Sequence, residues 1–179
     1  MTLNGPTALT LIRIVLVIPV VMSILIDSVP AHIVSIVCFV MASITDFMDG
    51  RWARREKMVT DLGAFLDPLA DKMLVNLTFL SLVVLEQVPV WMFAVILVRD
   101  YAVDGLRMVA ARKKVTISAS IFGKIKTTVQ MITLILILFN MILCSPELKI
   151  LNDILLYIVV FLTLYSGVDY LIRGRKLMI

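Results

Sequence analysis

The sequence predicts an all-α integral membrane protein with six transmembrane helices. Three observations predict it. The mean hydropathy is +1.04, and 61% of the 179 residues are hydrophobic, well above the composition of an ordinary soluble domain. The apolar residues fall into six runs, each close to the ~20 residues a helix needs to cross the hydrocarbon core. The basic residues gather in every second connection instead of spreading along the chain. A water-soluble bundle of this size could not hide so much apolar side chain.

The runs lie at about 8–26, 32–49, 62–85, 89–111, 122–144 and 150–172. The first has no small-residue cleavage site and reads as a retained span, not a signal peptide. Arg51, Arg54, Arg55 and Lys57 follow the second run, Arg112, Lys113 and Lys114 the fourth, and Arg173, Arg175 and Lys176 the sixth. The opposite connections carry Lys149 and otherwise only Asp27, Glu86 and Glu147. This asymmetry predicts both termini on the cytoplasmic side of the inner cell membrane. His32, at an outer-side helix start, reads as an interface residue, and Trp52 and Trp91 as interface anchors. Cys38 and Cys144 lie in apolar runs without CxxC spacing, which predicts thiols buried in lipid or core. No internal repeat stands out, and the inverted repeat of transporters is not visible.

Charges inside spans are costly and usually mark function. Here they concentrate in one stretch. Asp46 and Asp49 are three apart at the end of the second run, and Asp67 and Asp71 are four apart at the start of the third. Both spacings place the pair on one helical face. If the two spans pack together, four carboxylates meet and demand a compensating cation. Hard oxygen donors in this number favour Mg²⁺ or Mn²⁺, with Ca²⁺ also open, and the lack of nearby His or Cys argues against zinc. Gly50 and Gly63 remove side chains where a ligand or backbone must come close, and Ala53 is small for the same reason. Pro68 frees the carbonyl of Ala64. Ion pairs with Arg54, Arg55 and Lys72 could explain any one of the acids, but hardly all four with both glycines between them.

The pattern Asp46-x2-Asp49-Gly50-x2-Ala53-Arg54-x8-Gly63-x3-Asp67-x3-Asp71 resembles the complete signature of the CDP-alcohol phosphotransferase family, all eight positions matching. The segments from Asn4 to Arg13, Phe65 to Lys72, Arg99 to Arg107 and Gly123 to Thr127 are similar to those of bacterial phosphatidylglycerophosphate synthases. Those synthases usually carry Glu where this chain has Asp100, and Ile where it has Gly5. The resemblance implies the CDP-alcohol phosphotransferase fold, a homodimer, and a site open to the cytoplasm and reachable from the inner leaflet. It implies residues 1–179 as a single transmembrane catalytic domain. It also implies that Asp46, Asp49 and Asp67 bind metal and the nucleotide diphosphate, with Asp71 as the base that also touches metal. Gly50, Arg54 and Thr60 would contact the CDP-lipid, Ala53 and Gly63 lie in the same stretch, and Thr10 and Arg13 would line the nucleotide site. For Thr10 and Arg13 the alternative is capping and snorkelling at a helix start.

The expected donor is CDP-diacylglycerol, whose diphosphate suits a metal-loaded carboxylate cluster. Arg54 offers phosphate a forked contact. Arg99 and Arg107 are eight apart, two turns along one face of the fourth span, and Lys124 and Lys126 open the fifth. Arg99, Arg107 and Lys124 are read as binding an acceptor phosphate, with ion pairs to Asp100 and Asp104 as the competing explanation. Lys126 is open to a topological role. With the resemblance, this basic set predicts glycerol 3-phosphate as acceptor. Serine and inositol phosphate are the alternatives within the class. The partners are thus membrane lipid and these substrates, with no nucleic acid. A divalent cation transporter would instead place acids near the bilayer midplane on several spans, and a non-catalytic adaptor gives no reason for four clustered acids.

Overall fold

Each apolar run forms a helix, because a helix satisfies its backbone polar groups within the segment, as an apolar environment requires. A computed structural model describes residues 5–56, 61–113 and 120–178, with side chains for 9–45, 66, 68–113 and 120–173. Among the described residues there are six α-helices and no strands: α1 (Gly5–Leu25), α2 (Val29–Glu56), α3 (Asp61–Val84), α4 (Val90–Arg112), α5 (Ile121–Leu143) and α6 (Pro146–Met178). Thr60, Lys57 and Lys114 lie outside the described residues.

The helix ends follow local chemistry. Asp27, Glu86 and Cys144 adopt left-handed backbone, with φ of 49°, 56° and 52°. Each lies just past the C-terminus of α1, α3 or α5, where a left-handed residue commonly ends a helix. α6 starts at Ser145-Pro146-Glu147. The Ser145 hydroxyl accepts the Leu148 N–H at 3.4 Å and donates to Glu147 at 2.6 Å, and Pro146 takes the first helical position, where its missing N–H costs nothing. α2 and α6 run well beyond the apolar stretches that predict them.

The chain divides into two compact units, Met1–Gln87 with Ile137–Cys144, and Val88–Leu136 with Ser145–Ile179. In the first, α1 packs on both α2 and α3, and α2 touches α3. Val17, Val20, Ile24, Phe39, Leu74 and Phe79 are buried there. His32 is also buried, at 4% exposure. Its Nδ1 lies 3.3 Å from the Met141 carbonyl and its Nε2 3.3 Å from Asp27, so it ties a turn to a helix end. In the second unit α4 packs on α6 over Met92, Ile96, Val103, Leu156 and Val159.

Helix hydroxyls are satisfied locally. Thr78, Ser81, Thr133 and Thr163 each donate to the carbonyl four residues back, at 2.6–2.9 Å. Large apolar side chains cover much of the outside, with Val15, Ile18, Phe161 and Ile172 more than 60% exposed, a surface suited to lipid and not to water. Cys144 is exposed and Cys38 half-buried. Two stretches among the described residues are long and apolar enough to cross a membrane, Ile121–Leu143 and Pro146–Arg173. α4 carries Arg99, Asp100, Asp104 and Arg107 in mid-helix, and α3 carries Asp67, Asp71 and Lys72, which lowers the apolarity of both.

Candidate active site

The first unit carries the acidic signature on two touching helices. Asp46, Asp49, Gly50, Ala53 and Arg54 lie in the C-terminal half of α2, and Gly63, Asp67 and Asp71 in the first three turns of α3. Of these, only the Asp71 side chain is described, and it is half-buried beside fully buried Ala70. The side chains of Asp46, Asp49, Ala53, Arg54 and Asp67 lie outside those described. The two aspartate pairs keep helical spacings of three and four residues, so each pair shares a face of its helix. Among the described residues no three carboxylate, His or Cys groups come together. The donor chemistry nonetheless fits a divalent metal, since all four side chains are hard oxygen donors on two helices in contact.

α1 adds two polar residues to the same unit. Thr10 and Arg13 are both fully buried, and Arg13 is the largest fully buried side chain among the described residues. Snorkelling would leave the guanidinium exposed, so 0% exposure removes that explanation for Arg13. Arg13 is the one charged residue of α1.

The second unit holds a polar cavity of about 370 Å³. Arg99, Arg107 and Lys124, read from the sequence as one set, all line it, together with Asp100, Asp104, Ser120, Gly123 and Tyr170. Arg99 is held at both ends of its guanidinium. Nη1 donates to Asp100 at 3.0 Å and Nη2 to Ser166 at 2.9 Å, while its buried Nε has no hydrogen-bond partner among the described residues. Asp100 also accepts from Lys126 through both oxygens, at 2.8 and 2.9 Å. Lys126 is 3% exposed, so it serves a buried ion pair and not topology alone. The ion pair with Asp100 is therefore real, yet Arg99 still borders the cavity.

Ser120, Ser166, Asp169 and Tyr170 are absent from the sequence reading, which takes Arg173 only as one of the basic residues that set topology. Tyr170 accepts a hydrogen bond from Arg107 and another from the Ser120 N–H at 3.2 Å. The Ser120 hydroxyl donates to Asp169 at 2.6 Å, and Arg173 donates to the same carboxylate at 2.9 Å. A polar stripe is visible in the sequence, but not which charge each of its residues touches. Ser166, Asp169, Tyr170 and Arg173 recur at three- and four-residue steps on α6, a polar stripe on an apolar helix.

Residues 3–165 match the family described as CDP-alcohol phosphatidyltransferase, and the chain belongs to it. A protein of Bacillus subtilis (strain 168), "CDP-diacylglycerol--glycerol-3-phosphate 3-phosphatidyltransferase", is 38% identical over 180 residues, covering 93% of each chain. One of the same description from Rickettsia bellii is 38% identical over 97% of this chain and 96% of its own. A "Probable phosphatidylglycerophosphate synthase" of Mycobacterium tuberculosis is 36% identical over 97% of this chain and 82% of its own. The family's chemistry is generally dependent on a divalent metal.

Proposed function

We propose that the chain transfers the phosphatidyl group of CDP-diacylglycerol to glycerol 3-phosphate, releasing CMP and forming phosphatidylglycerophosphate. The observation that carries the acceptor is the polar cavity, which gathers Arg99, Arg107 and Lys124 around space for a phosphate. Arg99, Arg107 and Lys124 at its wall carry N–H donors of the kind an anionic oxygen accepts from. The start of α5 at the same cavity adds backbone N–H groups that favour an anion.

The chemistry balances with groups on the chain. The acceptor hydroxyl oxygen bonds to the phosphorus carrying diacylglycerol, the bond from that phosphorus to the bridging oxygen breaks, and CMP leaves with the electron pair. Asp71 takes the hydroxyl proton. Asp46, Asp49, Asp67 and Asp71 would hold Mg²⁺ or Mn²⁺, which when bound offsets the charge of the diphosphate. Thr10, Arg13, Gly50, Ala53, Arg54, Thr60 and Gly63 form the CDP-lipid side of the site, Arg54 as a forked phosphate contact. Residues 1–179 act as one catalytic domain with six membrane spans, both termini in the cytoplasm and two copies per assembly. The apolar outer surface and the alternation of basic connections support this placement.

The test incubates purified full-length protein and Mg²⁺ with CDP-diacylglycerol and, in turn, glycerol 3-phosphate, serine or inositol phosphate. CMP release is expected with glycerol 3-phosphate and to vanish on chelation. Release with serine but not with glycerol 3-phosphate refutes the acceptor.

A further inference from the structure

Two guanidinium groups facing one cavity repel each other when no anion lies between them. Something must hold them in place before the acceptor arrives. Arg99 is fixed by Asp100 and Ser166. Arg107 reaches across from α4 to Tyr170 on α6.

Tyr170 sits where three helices meet within the second unit, and it is 1% exposed. Its phenol oxygen accepts from Arg107 and, at 3.2 Å, from the Ser120 N–H just ahead of α5. Its ring lies 5.6 Å from the guanidinium carbon of Arg99 and 5.2 Å from that of Arg107. The ring face attracts both cations and offsets part of their mutual repulsion. The neighbouring Asp169 takes the Ser120 hydroxyl at 2.6 Å, so the start of α5 is held at two points on α6. We infer that Tyr170 is the positioning residue for the acceptor phosphate, aligning Arg107 and the α5 start through its oxygen and both arginines through its ring. This rests on the acceptor reading above. The arrangement favours a phosphorylated alcohol over a neutral one, because Arg99, Arg107 and Lys124 border the cavity against Asp100 and Asp104, and Asp100 is already engaged by Arg99 and Lys126.

Tyr170→Phe separates the two contributions, since it keeps the ring and removes the oxygen. The full-length variant in detergent micelles should show a KM for glycerol 3-phosphate raised about tenfold, as expected when a hydrogen bond to a charged donor is lost. Its KM for CDP-diacylglycerol and its kcat at saturating acceptor should stay within about twofold, because the ring still holds the arginines near the cavity. Calorimetric titration with inorganic phosphate should show binding weakened by the same factor. An unchanged acceptor KM overturns the proposal. So does a loss of kcat and of both affinities together with a fallen thermal midpoint, which is what a merely structural tyrosine would give. If the variant does not survive purification, Arg107→Lys decides. It keeps the charge but loses the fork, so the same selective rise supports the proposal and an unchanged KM overturns it. Failure of the wild-type protein to use glycerol 3-phosphate sinks the acceptor reading alone. The phosphate titration still judges Tyr170, since equal binding by wild type and variant, or none by wild type, overturns its role.

Discussion

A methyl group added at Gly167 should weaken acceptor binding without weakening the fold. Gly167 lies on α6 beneath the stem of Arg99, and a Cβ built there falls 3.1 Å from the Arg99 Cγ. Carbon atoms prefer ~3.5–4.0 Å, so the stem must yield by several tenths of an ångström. It cannot do so freely, because Asp100 at 3.0 Å and Ser166 at 2.9 Å hold opposite ends of the guanidinium. A guanidinium pushed off its position loses part of its charge-assisted contact with the acceptor phosphate, which contributes about 1.5–3 kcal/mol when intact, so the loss is roughly 1.5 kcal/mol. That corresponds to about a tenfold rise in KM for glycerol 3-phosphate. Against this, alanine gains about 1 kcal/mol over glycine in a helix interior, so the thermal midpoint should stay level. Gly105 on α4 supplies the control, because a Cβ there meets nothing within 4 Å. Gly105→Ala should gain the same helix propensity, raise the midpoint and leave KM alone. The assay is CMP release against acceptor concentration, beside thermal unfolding of both variants in the same detergent. Equal KM values for the two variants refute the reasoning. So does a Gly167→Ala protein that unfolds early with normal acceptor KM.

Two further outcomes follow from the same geometry. Asp100→Asn removes the negative charge shared by Arg99 and the buried Lys126 while leaving both cations in place. Breaking a buried pair this way costs about 3–5 kcal/mol, read as a lowered unfolding midpoint, and a loss below about 1 kcal/mol would mean the pair is effectively solvated. Asp71→Asn should cut turnover at least ~100-fold while thermal stability is kept, and near-normal turnover would remove Asp71 as the base.

The helices were legible because hydropathy and helical hydrogen bonding ask the same thing of a chain in lipid. Their ends were less so. The apolar run at 32–49 becomes a helix over Val29–Glu56, and the run at 150–172 becomes one over Pro146–Met178. Hydropathy marks the apolar stretch, but the backbone ladder continues into charged residues without needing lipid. The basic set Arg99, Arg107 and Lys124 was readable because charge in an apolar run stands out, and the three do line one cavity. The role of Lys126 stayed open for a physical reason. At the opening of a span, a lysine that satisfies the positive-inside bias and one that enters a buried ion pair look alike, and only Asp100 at 2.8 Å separates them.

Tyr170 and Ser166 show where reading a membrane sequence fails in principle. A serine or threonine in such a helix usually spends its hydroxyl on its own backbone, as Thr163 does, so it carries no signal. Ser166 donates to the Thr163 carbonyl at 3.1 Å and still accepts from Arg99, a second use that no spacing reveals. A tyrosine near a helix end likewise reads as an interfacial anchor, yet Tyr170 is buried under two arginines. What distinguishes the functional residue from the ordinary one is the charge it touches on another helix. In an apolar environment, polar residues on α6 are therefore best judged by the cations they would leave unsatisfied if removed. By that measure α6, which carries none of the acidic signature, matters through Tyr170 in the cavity lining and through Ser166 and Asp169, which hold the groups around it.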